Sequence, residues 1–307
     1  MSDFDINEYD EAVAPVLERM AKVWGKRNKP YKMIENLLVH HGTSMLLRSP
    51  ECTEGLLEFL DAVSGDGLFP PSSLPTEENF ATGDLISFVS PSLRRNKVVS
   101  SLLNDIYNSS AQRSAGKGEL LATVLSPDAR KAKKHGDVNI GGNNVEMKSD
   151  NGTINQEEVN KFRKNDTLVQ ETYGLSRKDV KEQYRAWHPL PTLLSPPIAA
   201  REFYSKLYRN FPHEYLDIIQ KVWTDTSCPD TRSRELGYLV LLDYVRYKGI
   251  DSLLLTEQQK CGNIKAVYIR DFSDKEFIFA NVMMKPQKMR GGSTEARPDG
   301  LVNISIK

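Results

Sequence analysis

The sequence predicts an α/β protein with a mixed central sheet flanked by helices and a helical N-terminal region. Three observations carry that reading. Apolar residues recur at helical spacing through the first third of the chain. A short helix followed by a hairpin pattern, GELLATVL and then DVNIGGNNVEMK, stands in the middle. Near the end come four runs rich in apolar, β-branched and aromatic residues. The expected division is a helical region over 1–92 and an α/β domain over 93–307.

Taken in order, Val13, Val16, Leu17, Met20 and Val23 line one face of a first helix, and Ile34, Leu37 and Leu38 one face of a second. A third covers Glu54–Val63, with Leu56, Leu57, Leu60 and Val63 on one side. His40 and His41 are adjacent, so on a helix they point in different directions and cannot both face one metal. The Pro-, Gly- and Ser-rich run Gly65–Asp84 reads as a linker or long connection. A helix over Ser101–Ser109 follows, then the helix–hairpin segment. Asn160–Arg185 reads as a polar helix, and HPLPTLLSPP (His188–Pro197) breaks the pattern. Helices are expected at Ala200–Trp223, interrupted near Pro212, and at Arg232–Tyr247. Strands are expected at Ser252–Thr256, Ile264–Asp271, Glu276–Met284 and Leu301–Lys307, with the Asp137–Ser149 hairpin supplying the first strands of the sheet.

Composition narrows the function classes. The hydrophobic fraction is 39% and the charged fraction 27%, as in ordinary globular proteins. No run approaches the ~18 apolar residues of a membrane span. The first residues, MSDFDINEYDEAVAPV, are acidic and lack the basic-then-apolar order of a secretory signal, so the expected location is the cytoplasm. Cys52, Cys228 and Cys261 are too scattered for a metal knuckle, and their odd number argues against a disulfide framework. The zero net charge conceals a segregation. Residues 1–92 hold 7 basic and 15 acidic side chains, 93–185 hold 17 and 12, and the rest hold 17 and 14. The middle and end of the chain can therefore face a polyanion, whereas the beginning suits self-association or a protein partner.

The chemistry concentrates in Gly116–Asp150. Asp137-Val-Asn-Ile and Val145-Glu-Met-Lys148 alternate with period two around Gly141-Gly-Asn-Asn144, a hairpin signal. A turn centred on Gly142-Asn143 sets Ile140 against Val145, Asn139 against Glu146 and Asp137 against Lys148. Val138, Ile140, Val145 and Met147 then share the core face, and Asp137, Glu146 and Lys148 share the other. Two carboxylates on rigid strands suit a hard cation such as Mg²⁺, which typically takes one or two carboxylates and keeps several waters. A bound cation of this kind lowers the pKa of water and offsets phosphoryl charge. Lys148, two residues beyond Glu146, lies where it would orient or deprotonate the attacking water. The triplet Asp/Glu-X-Lys alone carries little, since this composition yields roughly three by chance. Asp179-Val-Lys181 also matches, but lies in the solvated helical pattern RKDVKEQYR. The competing reading of the hairpin is a surface ribbon on which Asp137 and Lys148 merely pair. Glu119, in the first turn of GELLATVL and off its apolar stripe, adds a third carboxylate ahead of the hairpin.

A helical Glu119, then Asp137, then Glu146-Met-Lys148 resembles the PD-(D/E)XK nuclease superfamily. The spelling GKGELLATVL…GDVNIGGNNVEMK is similar to bacteriophage nuclease-like proteins and to some restriction enzymes. The resemblance covers some 35 residues and implies a restriction-endonuclease-like sheet and Mg²⁺-dependent DNA cleavage, with Mn²⁺ as a substitute. It implies that Asp137 and Glu146 ligate the metal, with the Met147 carbonyl near it. Lys148 would position the nucleophile, and Glu119 would make an outer or second metal contact. Gly136 stands where the family usually has proline. Gln156, Gln170 and Gln183 are equivalent candidates for a further polar position.

Basic residues flank the motif. Lys117, Arg130, Lys131, Lys133 and Lys134, with Lys161, Arg163 and Lys164, form the expected track for DNA phosphates. The expected function is a Mg²⁺-dependent DNA endonuclease of phage or restriction type, in a bacterial or phage-infected cell. Its rivals are a phage assembly protein that binds nucleic acid on the same fold, and a repair nuclease acting on branched DNA.

Overall fold

The computed structural model describes residues 6–37, 50–65, 79–85, 93, 96–108, 117–126, 129–132, 135–150, 152–154, 214, 217–218, 221, 229–260, 263–286 and 302–307. Contacts divide the chain into two compact units. One comprises Met1–Asp150 with Ile250–Asp271 and Ile306; the other comprises Asn151–Gly249 with Phe272–Ser305 and Lys307.

The first unit is a mixed six-stranded sheet with helices packed on it. Its helices are α1 (Ile6–Trp24), α2 (Lys29–Leu37), α3 (Pro50–Gly65), α4 (Lys97–Asn108) and α5 (Lys117–Leu125). Its strands are β1 (Phe80–Thr82), β2 (Arg130–Lys131), β3 (Val138–Ile140), β4 (Asn143–Ser149), β6 (Ser252–Gln258) and β7 (Ile264–Ile269), in the spatial order β1-β7-β6-β4-β3-β2. Among these described strands, only the β4–β6 pair is parallel. The second unit contains β5 (Gly152–Ile154), α6 (Pro229–Lys248), α7 (Lys275–Asn281), β8 (Val282–Pro286) and β9 (Val302–Ile306), with the sheet order β5-β9-β8.

Helical spacing in the first third translates into burial. Val16 and Met20 of α1, Ile34 of α2 and Leu56, Phe59 and Leu60 of α3 join one core with Leu102 and Ile106 of α4 and Leu121 and Val124 of α5. Val138, Ile140, Val145 and Met147 of the hairpin, with Leu254, Ala266 and Tyr268, complete it. Asn96 starts α4 as an N-cap, its Oδ1 accepting from the Val98 and Val99 amides at 3.1 Å. Its Nδ2 donates to the Gly55 carbonyl (3.0 Å) and thereby ties α4 to α3. None of the described helices is long and apolar enough to cross a membrane.

Three sequence expectations are corrected. The run 65–84 is not all linker: Phe80–Thr82 pairs antiparallel with β7, and Phe80 stacks on Tyr268 with ring centroids 5.4 Å apart. The hairpin does not supply the first strands, because β1 and β2 precede it. Glu276–Met284 is not one strand. Asp274 Oδ1 accepts from the Phe277 amide (3.0 Å) and caps α7, so its apolar residues turn helical before β8 begins at Val282. Expectations on His40, His41, Asn160–Arg185 and His188–Pro197, and on most of Ala200–Trp223, fall outside the described residues.

Candidate active site

The hairpin turns on Gly141-Gly142, with φ of 57° and 92°. Two successive left-handed residues make the two-residue turn whose twist matches that of paired strands. The ladder therefore pairs Val138 with Val145, Asn139 with Asn144 and Ile140 with Asn143. This differs by two residues from the register expected from a turn centred on Gly142-Asn143. A shift of two preserves side-chain parity, so Val138, Ile140, Val145 and Met147 still enter the core. What changes is the partner of Lys148. It reaches Glu146 on its own strand, Nζ to Oε1 at 2.6 Å, rather than Asp137 across the ribbon.

Glu146 is only 1% exposed and Lys148 19%. Parallel pairing places Leu253 beside Glu146 and Leu255 beside Lys148, and both leucines are buried. The ion pair thus sits on an apolar sheet face. There a charge-assisted hydrogen bond is strong, and the loss of either partner is costly.

Asp137 lies just before β3. Its amide donates to the Val145 carbonyl (3.0 Å), and its Oδ2 accepts from the Met147 amide (2.9 Å). Gly136 makes this approach possible. Its φ is +71°, and a Cβ there would stand 3.0 Å from the Val145 carbonyl oxygen. Proline, locked near φ −65°, cannot adopt that conformation, which accounts for glycine at this position. The β3–β4 ladder ends at Val138, while β4 continues along β6 to Ser149. The Asp137 carboxylate therefore takes the ladder donor of Met147 that β3 leaves open, within one residue of the Glu146–Lys148 pair.

Glu119 arrives from the opposite face of the sheet. Its neighbour Gly118 packs on Met147, where a Cβ would lie 3.3 Å from the Met147 Cβ. Glu146 and Lys148 project the other way by alternation. Glu119 itself is half-buried on α5. Among the described residues, no three Asp, Glu, His or Cys side chains stand close enough together to hold a metal as a ready cluster. The arrangement is Asp137 and Glu146 near one strand segment, with Glu119 across it.

The basic track divides. Lys117 is one-third exposed and bonds Asp150 Oδ2 at 3.2 Å. Arg130 and Lys131 form β2, with side chains outside the described set, as are Lys133, Lys134, Lys161, Arg163 and Lys164 altogether. Sequence reasoning passed over Tyr107 and Asp150. The Tyr107 hydroxyl lies 2.8 Å from Asp150 Oδ1 and 3.0 Å from the Thr256 carbonyl. Burial, reinforced by the Asp150 charge, raises the Tyr107 pKa well above that of an ordinary phenol and keeps it a donor. The available signal was Asp150 itself, an acid closing the motif strand two residues after Lys148.

A carboxylate held by a backbone amide and a second carboxylate paired with lysine offer the oxygen donors that a hard cation takes. Compared with known proteins, the chain matches no family model, no curated protein and no solved structure.

Proposed function

We propose that the chain is a Mg²⁺-dependent DNA endonuclease of the PD-(D/E)XK, restriction-endonuclease-like kind. The supporting observation is the Asp137 carboxylate on the Met147 amide beside the buried Glu146–Lys148 pair, at the point where β3 leaves β4. Asp137 and Glu146 would hold the cation, with the Met147 carbonyl beside them and Glu119 as an outer contact. Bound there, Mg²⁺ supplies an acidified water and charge neutralisation on the phosphoryl oxygens. Lys148 supplies the directional group. Its Nζ, anchored by Glu146 Oε1, places a cation where it would orient a nucleophilic water and offset the negative charge that develops on the phosphoryl oxygens. Leu253 and Leu255 keep bulk water from that side of the pair and strengthen its electrostatics.

The test is cleavage of supercoiled, linear, single-stranded and branched DNA with Mg²⁺ or Mn²⁺. Wild-type protein is expected to cut in a metal-dependent manner. Glu146→Ala and Lys148→Ala are each expected to lower the rate by about a hundredfold or more, the usual scale for losing an electrostatic catalytic group. Unchanged cleavage in both variants would overturn the assignment. A preference for branched DNA would mark a repair enzyme, and binding without cleavage an assembly protein.

A further inference from the structure

Asp150 ends β4 in a conformation that no other non-glycine residue among those described shares, with φ at +43°. An L-residue in that region carries backbone strain, which Asp tolerates better than most. Three elements meet on this one residue. Its amide donates to the Thr256 carbonyl of β6 (3.2 Å). Its Oδ1 accepts from the hydroxyl of Tyr107, a fully buried residue of α4 (2.8 Å). Its Oδ2 pairs with Lys117, the first residue of α5 (3.2 Å). The Lys117 ammonium also stands over the Tyr107 ring, 5.1 Å from its centroid. One residue along, Gly118 allows α5 to close on Met147. The first turn of α5, which carries Glu119, is thus fastened to β4 by an ion pair at Lys117 and by a glycine contact at Gly118.

We propose that Asp150 is a positioning residue for phosphodiester hydrolysis: held by Tyr107 and Lys117, it registers the Glu119 turn of α5 against the Asp137–Met147 segment. This rests on the nuclease reading above. Asp150 touches no reacting atom and acts through Lys117 and the helix. A displacement of about 1 Å in a catalytic contact can cost up to a hundredfold in rate, so an ion pair that sets helix register is a sensitive control.

The experiment uses the full chain with Asp150→Asn, Asp150→Gly, Lys117→Met and Lys117→Arg. Asparagine keeps the left-handed turn and an acceptor for Tyr107 but discards the charge. Glycine relieves the strained φ and removes the carboxylate, so lost activity in that variant cannot be assigned to backbone strain. Expected results are a fall in kcat of about tenfold to a hundredfold in Asp150→Asn, Asp150→Gly and Lys117→Met. In the two Asp150 variants the KM for DNA should hold within about twofold while the half-saturating Mg²⁺ concentration rises. Lys117→Arg should keep most activity. Independently of activity, hydrogen exchange at the Gly118–Leu120 amides should quicken in Asp150→Gly. Asp150 variants that match wild type in kcat, metal requirement and amide exchange would overturn the positioning role while leaving the nuclease reading intact. A wild-type protein inert toward every DNA with Mg²⁺ or Mn²⁺ would overturn both.

Discussion

Lys148 holds Glu146 at 2.6 Å on a face walled by leucine, and that contact has a consequence for stability. Removing one member of a buried pair leaves the other charge uncompensated, at a typical cost of about 3–5 kcal/mol. Lys148 retains a fifth of its exposure, so the lower part of that range applies. Lys148→Met is expected to lower the unfolding free energy by about 3 kcal/mol without metal. Because a ligand that binds only the folded state stabilises it, Mg²⁺ should recover part of that loss. Melting curves with and without Mg²⁺ check this; a larger metal-induced rise in Tm for Lys148→Met than for wild type is the expected outcome. At Gly136, φ of +71° and the nearby Val145 carbonyl argue against any side chain. Gly136→Pro, which locks φ near −65°, should displace Asp137 and abolish the proposed metal-dependent cleavage. Gly136→Ala should cost about 1–3 kcal/mol.

At the scale of elements, the hairpin and the α6–β8 contact each give a sharp expectation. Gly141 and Gly142 both need positive φ, and nothing lies within 4 Å of a Cβ at Gly142. Gly142→Ala therefore loses only through strain, about 1 kcal/mol, whereas Gly141→Asn should be neutral or stabilising, since Asn-Gly favours this turn. Opposite shifts in denaturation midpoint would bear out the observed register; a turn centred one residue later would not produce them. In the second unit, a Cβ at Gly237 of α6 would fall 2.6 Å from the Cβ of Met284 on β8. That atom is tied to the strand backbone and cannot swing away. Alanine gains about 1 kcal/mol of helix propensity over glycine, yet overpacking typically costs about 1–3 kcal/mol. Gly237→Ala is expected to be net destabilising, read as a lower denaturant midpoint.

For the molecule as a whole, two conditions probe the arrangement. Burial raises the pKa of Tyr107 and of Tyr31 above the unfolded value of about 10. Above that pH the unfolded chain releases protons that the folded chain retains, so stability, complete below it, declines as pH climbs toward the folded values. Tm measured from about pH 8 to about pH 11 should fall, and Tyr107→Phe should fall less steeply although it starts lower. Salt probes the basic flank. If Lys133 and Lys134 meet DNA phosphates, replacing both with alanine should reduce the slope of log affinity against log salt by about 2. An affinity indifferent to ionic strength in wild-type protein would remove the track.

Local pattern alone fixed which residues alternate into the core and which helices are amphipathic. Val138, Ile140, Val145 and Met147 could be assigned because period two survives any even shift of register, and Val16, Met20, Leu121 and Val124 because helical spacing needs no partner. The tight turn, the N-cap at Asp274 and the strand at Phe80–Thr82 were harder to read, since each depends on one hydrogen bond or one pairing partner rather than a repeated period. The tertiary structure decided that Glu146 is buried beside Leu253, that Lys148 pairs along its strand rather than across it, and that Tyr107 and Lys117 converge on Asp150. Those contacts join residues separated by up to 107 positions, Glu146 with Leu253 being the longest, and no short-range periodicity encodes them. Chain order specifies which face a side chain takes; only packing of distant segments specifies what it meets there.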